Sequence, residues 1–177
     1  AAGEMPAIEA QRDALAAQFG TETELIRSQP MPASSTELRA ALQNREGVAK
    51  LSPEVYAEII RRRLYGAKVN FPWLREQSYA MLRPRRVPHV QGCEAEAVRL
   101  AHRWGADEER AAEAAILHDC TKKELLPEQL RLCAKYGIIP DELERENGKL
   151  LHAKTGAAVA RFEFGSDDEV VEAIRWH

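Results

Sequence analysis

The sequence is poor in cysteine, lacks a long apolar run and has no excess of positive charge. Its three cysteines are spaced as neither a zinc ribbon nor a C-x-x-C pair, which predicts free thiols in a reducing compartment. No run approaches the roughly 20 apolar residues of a membrane-spanning helix, and no signal segment is recognisable. The net charge of -3 gives no basic footprint for nonspecific nucleic-acid binding. We therefore expect a cytoplasmic protein without membrane or nucleic-acid partners.

The first part of the chain combines helical and extended patterns. A helix is predicted over 5–19, where apolar residues recur at helical spacing, and "TELIRS" at 23–28 is typical of a short strand. A proline-bearing loop then leads to a helix that begins near Glu37, and a further helix is predicted over 53–64. One strand and three helices are too few for a domain. Residues 1–66 are therefore expected to be a poorly supported end of something larger.

From residue 67 onward the sequence predicts helices and no strand. These helices are expected at about 71–82, 89–104, 107–119, 127–136, 149–162 and 167–177. Cys93 falls on the apolar face of the second of them. Asp107 is suited to cap the third, and Ser166 with Glu169 resembles a capping box before the last. Residues 67–177 are thus predicted to form an all-α bundle.

Histidines cluster at the ends of the predicted helices. Four of the five histidines stand there beside apolar residues, and one of them is followed directly by a carboxylate: His89, His118 with Asp119, His152 and His177. Burying a carboxylate without a partner costs several kcal/mol or so, so a compensating charge is expected. Imidazole and carboxylate together suit Fe, Mn, Co or Zn, and a bundle core is a usual place for such a site. His102, by contrast, fits a structural role at a helix C-terminus.

Four sequence blocks carry a resemblance to a known family. "RRVPHVQG", "AAILHDCTK", "ENGKLLHAKTGAAVA" and "DDEVVEAIRWH", which span about 83–177, resemble successive blocks of the YqeK family within the HD superfamily of metal-dependent phosphohydrolases. That family hydrolyses diadenosine tetraphosphate symmetrically to two ADP. The resemblance implies an HD-domain helical bundle and a nucleotide polyphosphate as substrate.

The same resemblance implies roles for the histidine cluster. His89, His118 and Asp119 would hold one metal ion, with Asp119 bridging to a second ion held by His152 and His177. The cofactor would be a binuclear divalent transition metal, with iron as the first choice and Mn, Co or Zn as alternatives. Two such cations can activate water and stabilise an in-line displacement at phosphorus.

Two basic residues would complete the catalytic site by resemblance. Lys122 follows the His–Asp pair and is expected to bind a substrate phosphate and to act in catalysis with Asp119. Arg86 matches a basic position just before the first histidine and is expected to bind substrate. The family pattern continues beyond the position of His177 to an aspartate of the first metal site. We therefore expect the sequence as given to hold at most about one ion tightly.

A second resemblance concerns the first 66 residues. "ASSTELRAAL" followed by "LSPEVYAEIIRRRLYG" resembles the C-terminal end of bacterial nicotinate-nucleotide adenylyltransferase, including its I-S-S-T-x-[IL]-R motif with alanine in place of isoleucine. Ser34, Ser35, Thr36 and Arg39 are the motif residues, although helix capping alone would account for the first three. The resemblance implies a partial α/β, Rossmann-like segment at 1–66, fused to the HD domain.

Three functions are therefore compatible with the sequence. The first is hydrolysis of dinucleoside polyphosphates by the HD domain. The second is adenylyl transfer to nicotinate mononucleotide in NAD biosynthesis by a larger parent protein, since the catalytic half of the adenylyltransferase is not in this sequence. The third is a nucleotide-binding module whose metal site is inactive. A homodimer is compatible with each of them.

Overall fold

The computed structural model describes residues 5–24 and 34–177, which belong to two compact units, 1–32 and 33–177. In the first unit, helix α1 (Met5–Phe19) forms as expected and ends at Gly20, whose positive φ of 64° suits glycine. The strand predicted at 23–28 lies mostly outside the described residues. Among the described residues, no helix is long and apolar enough to cross a membrane.

The second unit is built from helices. They are α2 (Ser35–Gln43), α3 (Pro53–Arg61), α4 (Phe71–Ala80), α5 (Val87–Trp104), α6 (Glu108–Leu117), α7 (Leu126–Tyr136), α8 (Glu142–Glu146), α9 (Gly148–Val159) and α10 (Asp168–Arg175). Short 3-10 helices occupy Val48–Lys50, Leu64–Gly66 and Pro84–Arg86, and a π-helical turn at Ala160–Phe164 extends α9. The mainly helical fold predicted from the sequence is confirmed.

Helix α6 lies at the centre of this unit, against α4, α5 and α10. It starts at Asp107, whose carboxylate accepts hydrogen bonds from the amides of Glu109 and Arg110 at 2.9 and 3.0 Å. Its last residues, Ile116 and Leu117, are fully buried. Because α6 ends in the core, the residues that follow it are delivered to a buried position.

The segment before the bundle packs on it instead of standing apart. The sequence places a boundary at residue 66, whereas the second compact unit begins at residue 33. Tyr56 of α3 is 1% exposed and contacts Trp73 of α4 edge-on, with ring centroids 5.0 Å apart. Trp73 in turn contacts Phe164 at 5.8 Å. An aromatic chain therefore joins residues 34–66 to the helical bundle.

The Rossmann-like character expected for residues 1–66 is not supported. Within residues 5–24 and 34–66 the structure has helices, turns and irregular chain and no strand. Ser34 caps α2 by accepting from the amide of Glu37, which agrees with the capping role open to it. The identity of this segment as an adenylyltransferase remnant stays a prediction.

The cap of α10 differs from the predicted one. Asp167 accepts from the amide of Val170 at 3.1 Å, so it and not Ser166 is the N-cap. The hydroxyl of Ser166 donates instead to the carboxylate of Glu113, which is buried in α6. A buried carboxylate needs a donor, and this need decides where the serine points.

Candidate metal centre

The His–Asp pair lies in a tight turn directly after α6. The sequence predicts a helix as far as Asp119, but α6 ends at Leu117. The amide of Cys120 then donates to the carbonyl of Leu117 at 3.1 Å, and the amide of Lys122 donates to that of Asp119 at 2.9 Å. Asp119 has no exposed surface. The turn therefore carries a carboxylate out of the helix while keeping it inside the protein.

Each oxygen of the Asp119 carboxylate faces two imidazoles. Oδ2 lies 3.4 Å from Nε2 of His118 and 3.8 Å from Nε2 of His89. Oδ1 lies 3.5 Å from Nε2 of His152 and 3.8 Å from Nε2 of His177. The structure thus brings together the five residues that the sequence predicts as metal ligands. They come from α5, the turn after α6, α9 and the residues that follow α10.

The backbone fixes three of the histidines with Nε2 turned toward the carboxylate. Nδ1 of His118 donates to the carbonyl of Ala115 at 2.7 Å, three residues earlier in the chain. His152 does the same to Lys149 and His177 to Ile174, both at 2.6 Å. A histidine whose Nδ1 carries the proton presents the lone pair of Nε2, which is the form that ligates metals.

These lone pairs converge on one another and on the carboxylate. Nε2 of His152 lies 3.2 Å from Nε2 of His177, with both facing Asp119. Neutral imidazoles held in this way are hydrogen-bond acceptors at Nε2. Their lone pairs therefore repel one another and the carboxylate unless a positive charge lies among them. The donor set of imidazole nitrogens and carboxylate oxygens is one that first-row divalent metals accept. The residues therefore fit a divalent metal.

Cys93 joins one side of the cluster, which the sequence does not predict. Its Sγ lies 3.4 Å from Nε2 of His89, one turn earlier on α5. Potential ligand atoms of His89, Cys93 and His118 lie within 4.8 Å of one another, as do those of Asp119, His152 and His177. The sequence offers one hint, the i, i+4 spacing that puts His89 and Cys93 on one helix face. The cysteine was expected only on an apolar face.

Arg86 and Lys122 hold the same carboxylate from its open side. Nε of Arg86 donates to Oδ2 of Asp119 at 2.7 Å, and Nζ of Lys122 donates to Oδ1 at 2.9 Å. Burial would raise the pKa of Asp119, but its polar contacts with His118, His177 and Lys122 outweigh burial and hold the pKa well below its usual range. Asp119 is therefore ionised and available as a ligand.

The histidine pKa values differ with their surroundings. Burial lowers the pKa of His89, and Arg86 adds to the effect. Burial likewise lowers the pKa of His152. The nearby carboxylate of Asp119 instead raises the pKa of His177. Two of the histidines thus favour the neutral form that binds metal, while His177 favours a proton or another cation beside the carboxylate.

A buried polar network ties the His–Asp turn to the helices around it. Nε2 of Gln129 on α7 donates to the carbonyl of Thr121 at 2.7 Å, and its Oε1 accepts from the hydroxyl of Thr155 at 2.6 Å. The hydroxyl of Thr121 donates to the carbonyl of His152 at 3.0 Å. All three polar side chains are at most 1% exposed. They fix the distance between the turn and α9, and so between Asp119 and His152.

Other candidate residues lie outside the cluster. His102 is exposed, and its Nδ1 pairs with the carboxylate of Glu108 at 2.8 Å, which agrees with a structural role. The four residues of the adenylyltransferase motif are all exposed: Ser34, Ser35, Thr36 and Arg39. The Arg39 guanidinium lies over the Tyr65 ring. None of the four shares a hydrogen bond or ion pair with the histidine cluster among the described residues.

A comparison with known families identifies this arrangement. Residues 86–177, just over half of the chain, match the family profile described as HD domain. The chain belongs to the HD-domain family. The HD domain includes all five predicted metal ligands, together with Arg86 and Lys122. HD domains bind divalent metals, which agrees with the donor set of the cluster.

Three known proteins are similar to more than half of this chain. The symmetrical bis(5'-nucleosyl)-tetraphosphatase of Bacillus subtilis (strain 168) is 34% identical over 108 residues, which cover 58% of each chain. That of Halalkalibacterium halodurans is 36% identical over 97 residues, 54% of this chain and 51% of the relative. The chain thus spans just over half the length of these two relatives. A crystal structure from Clostridium acetobutylicum, of a predicted HD superfamily hydrolase involved in NAD metabolism, is 30% identical with a TM-score of 0.57. The matched region covers 60% of this chain and 57% of the Clostridium acetobutylicum chain.

The resemblance to symmetrical tetraphosphatases of the HD superfamily is confirmed by these relatives. The fusion to an adenylyltransferase is not shown by them and stays a prediction.

Proposed function

We propose that the chain is a metal-dependent phosphohydrolase that cleaves dinucleoside polyphosphates, and diadenosine tetraphosphate in particular to two ADP. The observation that carries this proposal is the buried Asp119 carboxylate, with an imidazole pair at each oxygen. The names of the two tetraphosphatase relatives supply the substrate class.

The proposed ligands divide by the oxygen that they face. His89 and His118 would hold one metal together with Asp119, and Cys93 lies beside them. His152 and His177, which face the other oxygen of Asp119, would hold a second metal. Iron is the proposed metal, with Mn, Co and Zn also compatible with this donor set. The chemistry that divalent cations supply in such a site is a lower pKa for water and neutralisation of charge on phosphate oxygens.

Arg86 and Lys122 would bind the substrate at the open side of this centre. Both contact Asp119, yet their side chains are 36% and 39% exposed, so each can also reach an anion in solution. Arginine can bind a phosphate through two parallel hydrogen bonds, and lysine offers a mobile point charge. The two cations would orient the phosphate chain and stabilise the charge that develops on the leaving phosphate.

Product analysis tests the proposal. The chain is incubated with diadenosine tetraphosphate and each candidate divalent metal, and the nucleotides are separated by anion-exchange chromatography. Two ADP per substrate, formed only with metal, are expected. Formation of ATP and AMP would contradict symmetrical cleavage, and hydrolysis that survives a chelator would contradict the metal dependence.

Asp119→Ala should abolish this turnover while leaving the far-ultraviolet circular dichroism nearly unchanged. The reason is that the carboxylate serves the ligand cluster, while Arg86 and Lys122, once released, can turn to solvent. His102→Ala is the matched control and should keep full activity, because His102 lies outside the cluster. Loss of helix content in Asp119→Ala would show that the carboxylate maintains the fold instead.

Adenylyl transfer, the alternative activity in NAD biosynthesis, stays a prediction that rests on the sequence resemblance of residues 1–66.

A further inference from the structure

A strongly basic cavity adjoins the candidate metal centre. It has a volume of about 400 Å³, and Leu82 is its one apolar lining residue among the described residues. The remaining lining residues are all cationic: Arg83, Arg85, Arg86, Lys122, Lys123 and Lys149. We call the space that these seven residues line the basic cavity. No described carboxylate lines it.

Three separate segments deliver these charges to one place. Arg83, Arg85 and Arg86 belong to the turn before α5, and Lys122 and Lys123 to the turn after α6. Lys149 lies in the first turn of α9. The fold thus collects cations from residues far apart in the chain. Without an anion these like charges repel one another, and the repulsion disfavours the arrangement.

Most of the charge in the basic cavity has no carboxylate partner. Lys123 donates to the carbonyl of Ala80 at 3.2 Å, a neutral acceptor. Arg83, Arg85 and Lys149 lie within ion-pair distance of no carboxylate in residues 5–24 and 34–177. Several exposed arginines elsewhere in the described residues pair with a glutamate on their own helix. Examples are Arg61 with Glu58, Arg99 with Glu96 and Arg131 with Glu128. The unpaired cations of the cavity are therefore available to an external anion.

The basic cavity is continuous with the metal centre. Arg86 and Lys122 line the cavity and also contact Asp119. Lys149 lines it as well, and its carbonyl accepts the Nδ1 proton of His152. A chain of phosphates with one phosphorus at the metal centre can therefore extend into the cavity without leaving cationic surroundings.

The lining decides which part of a nucleotide fits. Cationic side chains make up all of the lining except Leu82, and the phosphates are the part of a nucleotide that such side chains bind best. The volume lies within the range of about 300–1,000 Å³ that is usual for small-molecule sites. Resting on the proposed function, we propose that the basic cavity binds the phosphates of the polyphosphate chain that lie beyond the phosphorus at the metal centre. It thereby selects substrates by the number of their phosphates.

Binding of inorganic tripolyphosphate to the full chain, measured by calorimetry without added metal, is the first test. Arg85→Gln and Lys149→Gln should each weaken binding about fivefold, and the double variant about twentyfold. Orthophosphate binding should change much less, because it does not reach along the cavity. Lys50→Gln and Arg103→Gln are matched controls, since each removes one positive charge from an exposed site outside the cavity. An equal loss in the controls would show attraction by net charge alone and would overturn the inference.

Kinetics separate this inference from the proposed function. Diadenosine tetraphosphate and bis(p-nitrophenyl) phosphate, a diester without a phosphate chain, are compared as substrates with added metal. The double variant should raise the KM for the tetraphosphate at least about fivefold more than the KM for the diester. Equal changes would overturn the basic cavity as a phosphate subsite even if the tetraphosphate is cleaved. Cavity-dependent tripolyphosphate binding without any hydrolysis would instead refute the proposed function and keep the subsite.

Discussion

At the residue scale, Asp119 and the histidines around it differ sharply from His102, although all five histidines lie near helix ends. The difference is in the contacts of the ring nitrogens. In the cluster, Nδ1 of three histidines donates to the backbone and Nε2 faces a buried carboxylate. In His102, Nδ1 is bound by an exposed glutamate at the surface. Substitution of single histidines therefore tests where the metal binds.

His118→Ala should reduce the bound metal measured by elemental analysis, and His102→Ala should not. His118 presents Nε2 to Asp119 at 3.4 Å, the shortest of the four histidine–carboxylate distances. Removing one ligand from a site with few ligands lowers affinity steeply, on the order of tenfold or more. Metal retained after His118→Ala, or lost after His102→Ala, would place the site elsewhere.

Glu113 predicts a pH dependence of stability that is separate from the metal centre. Burial raises its pKa to about 7 from the ordinary value of 4.5, although the Ser166 hydrogen bond lowers it. Between these two pH values the folded chain holds a proton that the unfolded chain has lost. The free energy of unfolding should therefore fall as the pH rises through this window, by roughly 3 kcal/mol in full.

Glu113→Gln should remove that part of the pH dependence. The free energy of unfolding, measured in urea at pH 5 and at pH 8, should differ less between the two pH values in the variant than in the parent. Glu46→Gln, at an exposed site, should leave the difference unchanged. An unaltered difference in Glu113→Gln would mean that Glu113 ionises as freely in the folded chain as in the unfolded one.

At the element scale, the centre depends on how α7 and α9 hold the turn after α6. Gln129 on α7 binds both Thr121 in the turn and Thr155 on α9, so one amide joins three elements. None of these residues touches the carboxylate of Asp119. They affect the site by fixing the position of the turn, and with it Asp119, relative to His152.

Gln129→Met should therefore weaken metal binding on the order of tenfold, as supporting residues of metal ligands do. The side chain keeps its approximate size but loses both hydrogen bonds. Metal titration followed by calorimetry gives the affinity, and Gln43→Met is the control, because Gln43 bonds only the carbonyl of Tyr65 at the surface. A lower unfolding temperature with unchanged metal affinity would show a role in stability alone.

The helices and the ligand cluster are largely predictable from sequence because their causes are local. Apolar spacing and the cap residue Asp107 define α6. The helix ends at Leu117, two residues before the end predicted at Asp119. Four histidines and Asp119 are predicted as metal ligands from their places at helix ends and from the family blocks. The orientation of the Nε2 lone pairs toward the carboxylate could not be predicted, because it depends on how the helices pack in the fold.

The misses share one cause, which is contact between residues far apart in sequence. Ser166 looks like a cap until Glu113, 53 residues away, is seen to need its hydroxyl. Cys93 resembles an apolar residue of α5 until His118 is brought beside it. Local patterns do not contain either contact. The same holds for the basic cavity, whose cations come from three segments.

At the scale of the whole molecule, residues 34–66 belong to the same compact unit as the HD domain. Tyr56 is buried by Trp73, and its hydroxyl accepts from the amide of Asn70 at 2.8 Å. A side chain added at Gly165, after the π-helical turn, would lie 2.1 Å from the carbonyl of Ala57 in α3. The close fit at both places makes α3 part of the support of the bundle.

Tyr56→Ala should lower the free energy of unfolding of this unit by about 3–5 kcal/mol, as loss of a buried aromatic ring does. Trp73 would lose its contact, and tryptophan fluorescence should shift to longer wavelength, since Trp104 and Trp176 are already 75% exposed. Tyr56→Phe keeps the ring and should cost about 1 kcal/mol. Unchanged stability in Tyr56→Ala would mean that residues 34–66 stand apart from the bundle, as the sequence first predicts.

The bonds from Arg86 and Lys122 to Asp119 have a thermodynamic consequence for the whole molecule. Both cations occupy the carboxylate that a metal needs, and both line the cavity that an anion needs. An anion that draws them away exposes the carboxylate to a metal, and a metal on the carboxylate releases them to an anion. Under the proposed function the two ligands would therefore bind with positive cooperativity, and by linkage each would raise the affinity for the other by the same factor. The internal ion pairs thus compete with both ligands, so that either one alone would bind more weakly than it does in the presence of the other.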